Sequence, residues 1–217
     1  MEALEEKLVS ACLSMVENHL RRRGIRNERV LSAFAELPRE RFLPLVQAEE
    51  VYEDHPVPIG HGQTISQPYV VALMIEALNP QPHHRILDVG AGSGYQTAIL
   101  ARLCRHVFAL ERIDALTESA MAALASVNAD NVTLCTRDGS VGWPEEAPFD
   151  GIICGAAAPE VPQAWLDQLA EGGRVVVPVG EHVQTLLMLE KRGDRITRRE
   201  LGDVRFVKLI GRQGFSE

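Results

Sequence analysis

A glycine cluster and three acids carry the first chemistry legible in this chain. Asp88-Val89-Gly90-Ala91-Gly92-Ser93-Gly94-Tyr95 sets three glycines within five positions, directly after an apolar run. Such a turn between strand and helix lets the backbone approach a cofactor where any side chain would collide. Glu111 follows about 20 residues on, at the end of the next apolar segment, where a carboxylate accepts hydrogen bonds from both hydroxyls of a ribose. Asp138, followed by Gly139, comes after a third apolar segment, where its carboxylate can receive the exocyclic amino group of adenine. The turn departs from the dinucleotide pattern, because Gly94 falls one position early and the strand ends in Asp88. A pyrophosphate favours helix amides and is repelled by a carboxylate. The ammonium and sulfonium of S-adenosylmethionine are attracted by one. The expected cofactor is therefore S-adenosylmethionine, held by Asp88, Gly90, Ala91, Gly92, Gly94, Glu111, Asp138 and Gly139.

A sheet must position these residues. Apolar patterning predicts strands at 85–89, 106–110, 132–135, 149–154 and 174–179, with helices at 95–103, 114–126 and 162–169 among them. That alternation implies an α/β fold, Rossmann-like and doubly wound, with a mostly parallel sheet covered on both faces. Past Gly180 the helices stop, and 185–190 and 204–210 read as two strands joined by a turn at Gly193-Asp194, an antiparallel C-terminal edge. Ahead of the alternation come added N-terminal helices: one from Leu4 to about Leu20, one capped by Asn27 and ending before Pro38, and one from Pro68 to Asn79-Pro80. Residues 38–67 hold Pro44, Pro56, Pro58, Gly60 and Gly62, too many interruptions for regular elements. A stretch of that length is expected to be functional. One domain over 1–217 is expected: 1–79 with the N-terminal helices and loop, 80–180 as cofactor-binding core, 181–217 as C-terminal strands.

Within the irregular stretch, Tyr52-Glu53-Asp54-His55-Pro56-Val57-Pro58-Ile59-Gly60-His61-Gly62-Gln63-Thr64-Ile65-Ser66-Gln67-Pro68 resembles the signature of protein L-isoaspartate O-methyltransferases. The lead-in Pro38-Arg39-Glu40-Arg41-Phe42-Leu43-Pro44, the run Ala156-Ala157-Ala158-Pro159-Glu160-Val161-Pro162 and Val204-Arg205-Phe206-Val207 extend the resemblance over nearly the whole chain. It implies methyl transfer from S-adenosylmethionine to the free α-carboxylate of isoaspartyl residues in damaged proteins or peptides. The ester then collapses to a succinimide, whose hydrolysis returns some normal aspartate. A carboxyl of that kind has an ordinary pKa of roughly 3.5, so the nucleophile is already ionised and needs orientation rather than a general base. The resemblance gives Ser66 that role, one hydrogen bond to the carboxylate, with Thr64 and the Ile65 backbone lining the cofactor. The competing role for Ser66 is an N-cap for the helix at Pro68. Departures from the family pattern are Arg137 before Asp138, Cys154-Gly155 where Val-Thr is common, and Lys208 in place of a proline. Gly155 should open onto the cleft. A methyltransferase of this fold acting on another carboxylate or peptide is the alternative, and the glycine turn alone also allows a nicotinamide enzyme.

Composition bounds the partners. A formal charge of -8 opposes binding to phosphate backbones, and Arg21-Arg22-Arg23 before Gly24 reads as cations at a helix C-terminus, so no nucleic-acid partner is expected. No apolar run reaches the roughly 18 residues of a membrane span. Three glutamates near the N-terminus, where an export signal would be basic and then apolar, and four scattered cysteines, Cys12, Cys104, Cys135 and Cys154, predict buried thiols in a reducing cytoplasm. The seven histidines show no metal-ligand spacing, and no metal is expected. The expected state is a monomer.

Overall fold

The computed structural model describes residues 2–43 and 48–216. Its main sheet has seven strands in the order β5-β4-β3-β6-β7-β8-β9: β3 Arg85–Val89, β4 His106–Glu111, β5 Val132–Thr136, β6 Phe149–Cys154, β7 Leu169–Val179, β8 Gln184–Arg192 and β9 Arg195–Val204. The five strands from β5 through β7 run parallel, and β8 and β9 are antiparallel to their neighbours. Each central strand is apolar on both sides. Ile86, Val107, Ile153 and Val176 enter one core cluster, while Leu87, Phe108, Ile152 and Val175 enter the other, across the sheet. Helices α4 Pro68–Leu78 and α5 Tyr95–Ala101, with α1 Glu2–Met15 and α2 Glu28–Glu36, contribute to the first cluster. The short α7 Gln163–Asp167 contributes the fully buried Trp165 to the second. Burying such a side chain stabilises the fold by roughly 1.5–3 kcal/mol.

The first strand of the parallel set, β3, lies between β4 and β6, so successive crossovers leave it in opposite directions. A crevice opens at the carboxyl ends of such a pair, the usual ligand position of a doubly wound sheet. The glycine cluster sits on this crevice.

Three expectations need correction. Residues 38–67 are less irregular than predicted: Arg39–Phe42 form a 3-10 turn, α3 spans Ala48–Val51, and β1 Val57–Gly60 pairs with β2 Gln63–Ile65 as a small hairpin. Pro44 lies outside the described residues. The hairpin escaped notice because its strands are three and four residues long and interrupted by Pro58. The last strand is Arg195–Val204, not 204–210. Arg192 pairs with Arg195, so Gly193-Asp194 is a two-residue turn with Gly193 at φ 58°, and the next strand must begin at once. Most of that strand is exposed, which removed the apolar alternation. Residues 204–210 instead run back over the sheet's carboxyl end, where Ala157 N donates to Val207 O at 2.7 Å and Leu209 N to Ala157 O at 2.8 Å. Finally, Cys12, Cys104 and Cys154 are buried, but Cys135 is only half-buried. Burial pushes the Cys154 thiol up to about 12.

Candidate active site

The glycine loop is fastened to the neighbouring strand by its own backbone. Gly90 N and Ala91 N both donate to Leu110 O, at 2.8 and 3.1 Å. Gly90, Gly92 and Gly94 all have positive φ, between 55° and 85°, which side chains rarely tolerate. Glu111 completes the turn: Oε2 accepts Gly92 N at 2.9 Å, and Oε1 accepts Arg112 N at 2.7 Å and Ile113 N at 3.0 Å. Glu111 is thus a buried side chain bound by three amides directly beneath the loop.

Gly90, Glu111 and Gly139 line one small cavity of about 70 Å³, together with Gln63 from the hairpin and residues 207–210. Its volume suits about two waters. The donor set nevertheless suits a cationic amino-acid sulfonium carrying a ribose: a backbone cradle opened by glycines over a buried carboxylate. A larger cavity of about 720 Å³ adjoins it, lined by Thr64, Ser66, Gln67, Gly155, Arg205 and Val207 among others. Val207 belongs to both. A Cβ on Gly155 would stand 2.9 Å from Gly90 O, so this chain's departure to glycine lets β6 close directly on the cofactor loop.

Two predicted cofactor acids are placed otherwise than expected. Asp88 is fully buried and faces neither cavity; its carboxylate accepts Thr97 Oγ1 at 2.6 Å and Gln96 Nε2 at 2.7 Å, tying β3 to the first turn of α5. Burial pushes its pKa up to about 6 despite those two hydrogen bonds. Asp138 is a cap: Oδ1 accepts Ser140 N and Ser140 Oγ at 2.9 and 2.6 Å, and Oδ2 accepts Arg212 N at 2.9 Å. Burial alone would raise the Asp138 carboxyl, but those hydrogen bonds outweigh it and hold it below its ordinary value. It lines a third cavity with Arg137 and Arg212. Trp165 Nε1 donates to Gly139 O at 2.9 Å and pins this turn to α7.

Ser66 stands on the chain between β2 and α4. The cap at the start of α4 comes from elsewhere: Tyr69 N donates to Asp54 Oδ1 at 3.0 Å, and Gln67 Nε2 donates to Asp54 Oδ2 at 2.7 Å. Arg23 pairs with Asp54 and lies 3.7 Å over the Tyr69 ring, so the basic run ends in a structural clamp. Ser66 caps nothing, and its hydroxyl has no partner among the described residues. Thr64 is exposed beside it, whereas the Ile65 side chain is buried and offers only backbone.

Residues 12–214 match the family described as Protein-L-isoaspartate(D-aspartate) O-methyltransferase (PCMT). The chain belongs to that family. It is 50% identical over 202 residues to the protein-L-isoaspartate O-methyltransferase of Methanoregula boonei, covering 93% of each chain. It is 51% identical over 197 residues to that of Parvibaculum lavamentivorans, covering 88% of each. Among solved structures it is similar to the Plasmodium falciparum PCMT in complex with S-adenosyl-L-homocysteine, with a TM-score of 0.79 at 31% identity over 92% of this chain and 98% of that one. A methyltransferase of this family uses S-adenosylmethionine.

Residue patterns missed Asp54, Arg39 and Gln63 as parts of this site, because each acts across a fold contact. Their signal in the chain was their place in the two segments that resemble the family, 38–44 and 52–68.

Proposed function

We propose that the protein methylates the free α-carboxylate of L-isoaspartyl residues, with Ser66 orienting that carboxylate in the larger cavity. The observation that carries the role of Ser66 is its unengaged hydroxyl on a backbone held from both sides, the capping duty having passed to Asp54. S-adenosylmethionine supplies a methyl activated by the adjacent sulfonium. Gly90, Ala91, Gly92 and Gly94 cradle its amino-acid end, Thr64 and the Ile65 backbone line it, and Glu111, with three of roughly four acceptor sites on backbone amides, keeps one for a ribose hydroxyl. Asp138 and Gly139 border the adenine; with three of roughly four acceptor sites used, Asp138 keeps one for an amino group. Asp88 sets the loop from beneath.

Chemically, a carboxylate oxygen bonds to the methyl carbon as the carbon–sulfur bond breaks, with no proton transferred. The chain therefore contributes alignment and exclusion of water, and alignment is worth several kcal/mol. The hairpin lies over the cofactor loop, with Ile59 Cδ1 3.4 Å from the position of a Cβ on Gly92. The whole chain acts as one domain, a monomer in the cytoplasm with isoaspartyl proteins or peptides as partners and neither nucleic acid nor membrane; no described helix is long and apolar enough to cross a membrane.

A methyl-transfer assay on an isoaspartyl peptide and its normal aspartyl twin tests the reading. Labelling of the isoaspartyl peptide alone is expected; equal labelling of both would favour a carboxyl methyltransferase of another specificity.

A further inference from the structure

Among the described residues, Arg39 is the one buried cation, with 0% exposure. Removing a guanidinium from water is costly, and a long apolar side chain would fill the same space without that cost. No carboxylate contacts it among the described residues. Its hydrogen bonds go to main-chain carbonyls: Nε donates to Val51 O at 2.9 Å and Nη2 to Ser66 O at 3.1 Å. Its face lies over the ring of Tyr95, 4.7 Å from the centroid. Nη1 and the Tyr95 hydroxyl bond to no other described residue, so the guanidinium is met by two carbonyls and the ring face.

What the guanidinium joins explains its retention. Tyr95 is the first residue of α5, immediately after Gly94, and so belongs to the cofactor loop. Ser66 belongs to the open cavity. Its planar fork fixes two carbonyls in directions that a lysine ammonium, a single point donor, cannot reproduce. Holding the Ser66 carbonyl fixes that residue's backbone and hence the Cα–Cβ direction from which its hydroxyl reaches.

We propose that Arg39 is a positioning residue for methyl transfer, registering the Ser66 hydroxyl against the glycine loop through one buried side chain. This rests on the reading of Ser66 given above, and a double-mutant cycle separates the two. Arg39→Lys, Ser66→Ala and the double variant are compared for kcat, KM toward an isoaspartyl peptide, affinity for S-adenosylhomocysteine and thermal unfolding, with Arg39→Met as a second, uncharged replacement of similar length.

If Arg39 acts through Ser66, Arg39→Lys lowers kcat about tenfold in the Ser66-containing protein while cofactor affinity and KM change less than about threefold. In the Ser66→Ala background the same substitution lowers kcat less than about twofold, because the hydroxyl it aimed is gone. Equal factors in both backgrounds, or undiminished kcat in a folded Arg39→Lys or Arg39→Met, would overturn the inference. Wild-type turnover by Ser66→Ala alone would instead overturn the role of Ser66, an outcome read on a separate arm.

Discussion

The two halves of the site are held in different ways. The cofactor loop is supported by its own strand neighbours: Gly90 and Ala91 bond to Leu110 O, Gly92 to Glu111, and Asp88 reaches only to Gln96 and Thr97. Ser66 is held by side chains from other segments, Arg39 on its carbonyl and Asp54 on Gln67 and Tyr69 just beyond it, with Arg23 behind Asp54. One half is a backbone structure on a rigid sheet, the other a side-chain clamp on a hairpin connection. Cofactor binding and substrate alignment should therefore respond to different mutations.

The sharpest break in that division comes from Ser66→Ala. It should lower kcat by about 100-fold, the loss of one hydrogen bond to a charged group, while the affinity for S-adenosylhomocysteine stays within about twofold. Calorimetric titration beside the assay checks both. A parallel loss of cofactor affinity would mean that the two halves are one unit.

Glu111→Gln should do the reverse. Gln offers one acceptor oxygen to three amides and turns an amide NH2 donor toward loop N–H groups, so cofactor affinity should fall about 30-fold, roughly 2 kcal/mol. An unchanged dissociation constant would remove Glu111 from the ribose position.

Asp88 sharpens the comparison through pH. Its pKa is about 6 in the fold against an ordinary value of 3.8, so the unfolded chain ionises first as pH rises. The contribution of this group to stability is thus fully present below about pH 4 and is lost progressively as pH rises through about 6, on the order of 3 kcal/mol. Asp88→Asn cannot ionise, so its stability relative to the wild type should rise across that window in denaturant titrations from pH 4 to 7. A constant difference would show that Asp88 is not held near neutrality.

The smallest expected effect is Asp54→Ala. Loss of an α4 cap should cost about 1 kcal/mol of stability and lower kcat several-fold, with cofactor affinity intact. If kcat is unaffected while stability falls, the clamp supports the helix but not Ser66.

Most of the cofactor half was legible in the chain itself. The strands β3, β4 and β6, the helix α6 Asp114–Ser126 and the positions of Gly90 and Glu111 follow from apolar periodicity and glycine spacing, which are local properties. Local pattern misjudged Asp88, since an acid ending a strand turns toward cofactor or core according to what packs beneath it. It also missed β9, an exposed edge whose residues bury little, and so placed the last strand on the segment that roofs the cleft.

The amino-acid sequence by itself determined the alternating α/β architecture, the glycine cradle and, through the string from Gly60 to Ser66, the family. Tertiary structure decided that Asp88 turns into the core, that Asp54 rather than Ser66 caps α4, that Arg39 holds the Ser66 carbonyl, and that residues 207–210 line the small cavity with Gly90 and Glu111. The reason is physical: periodicity and turn chemistry act over a few residues, whereas capping from 15 residues away or a buried guanidinium 27 residues from its acceptor exists only once the chain has closed on itself.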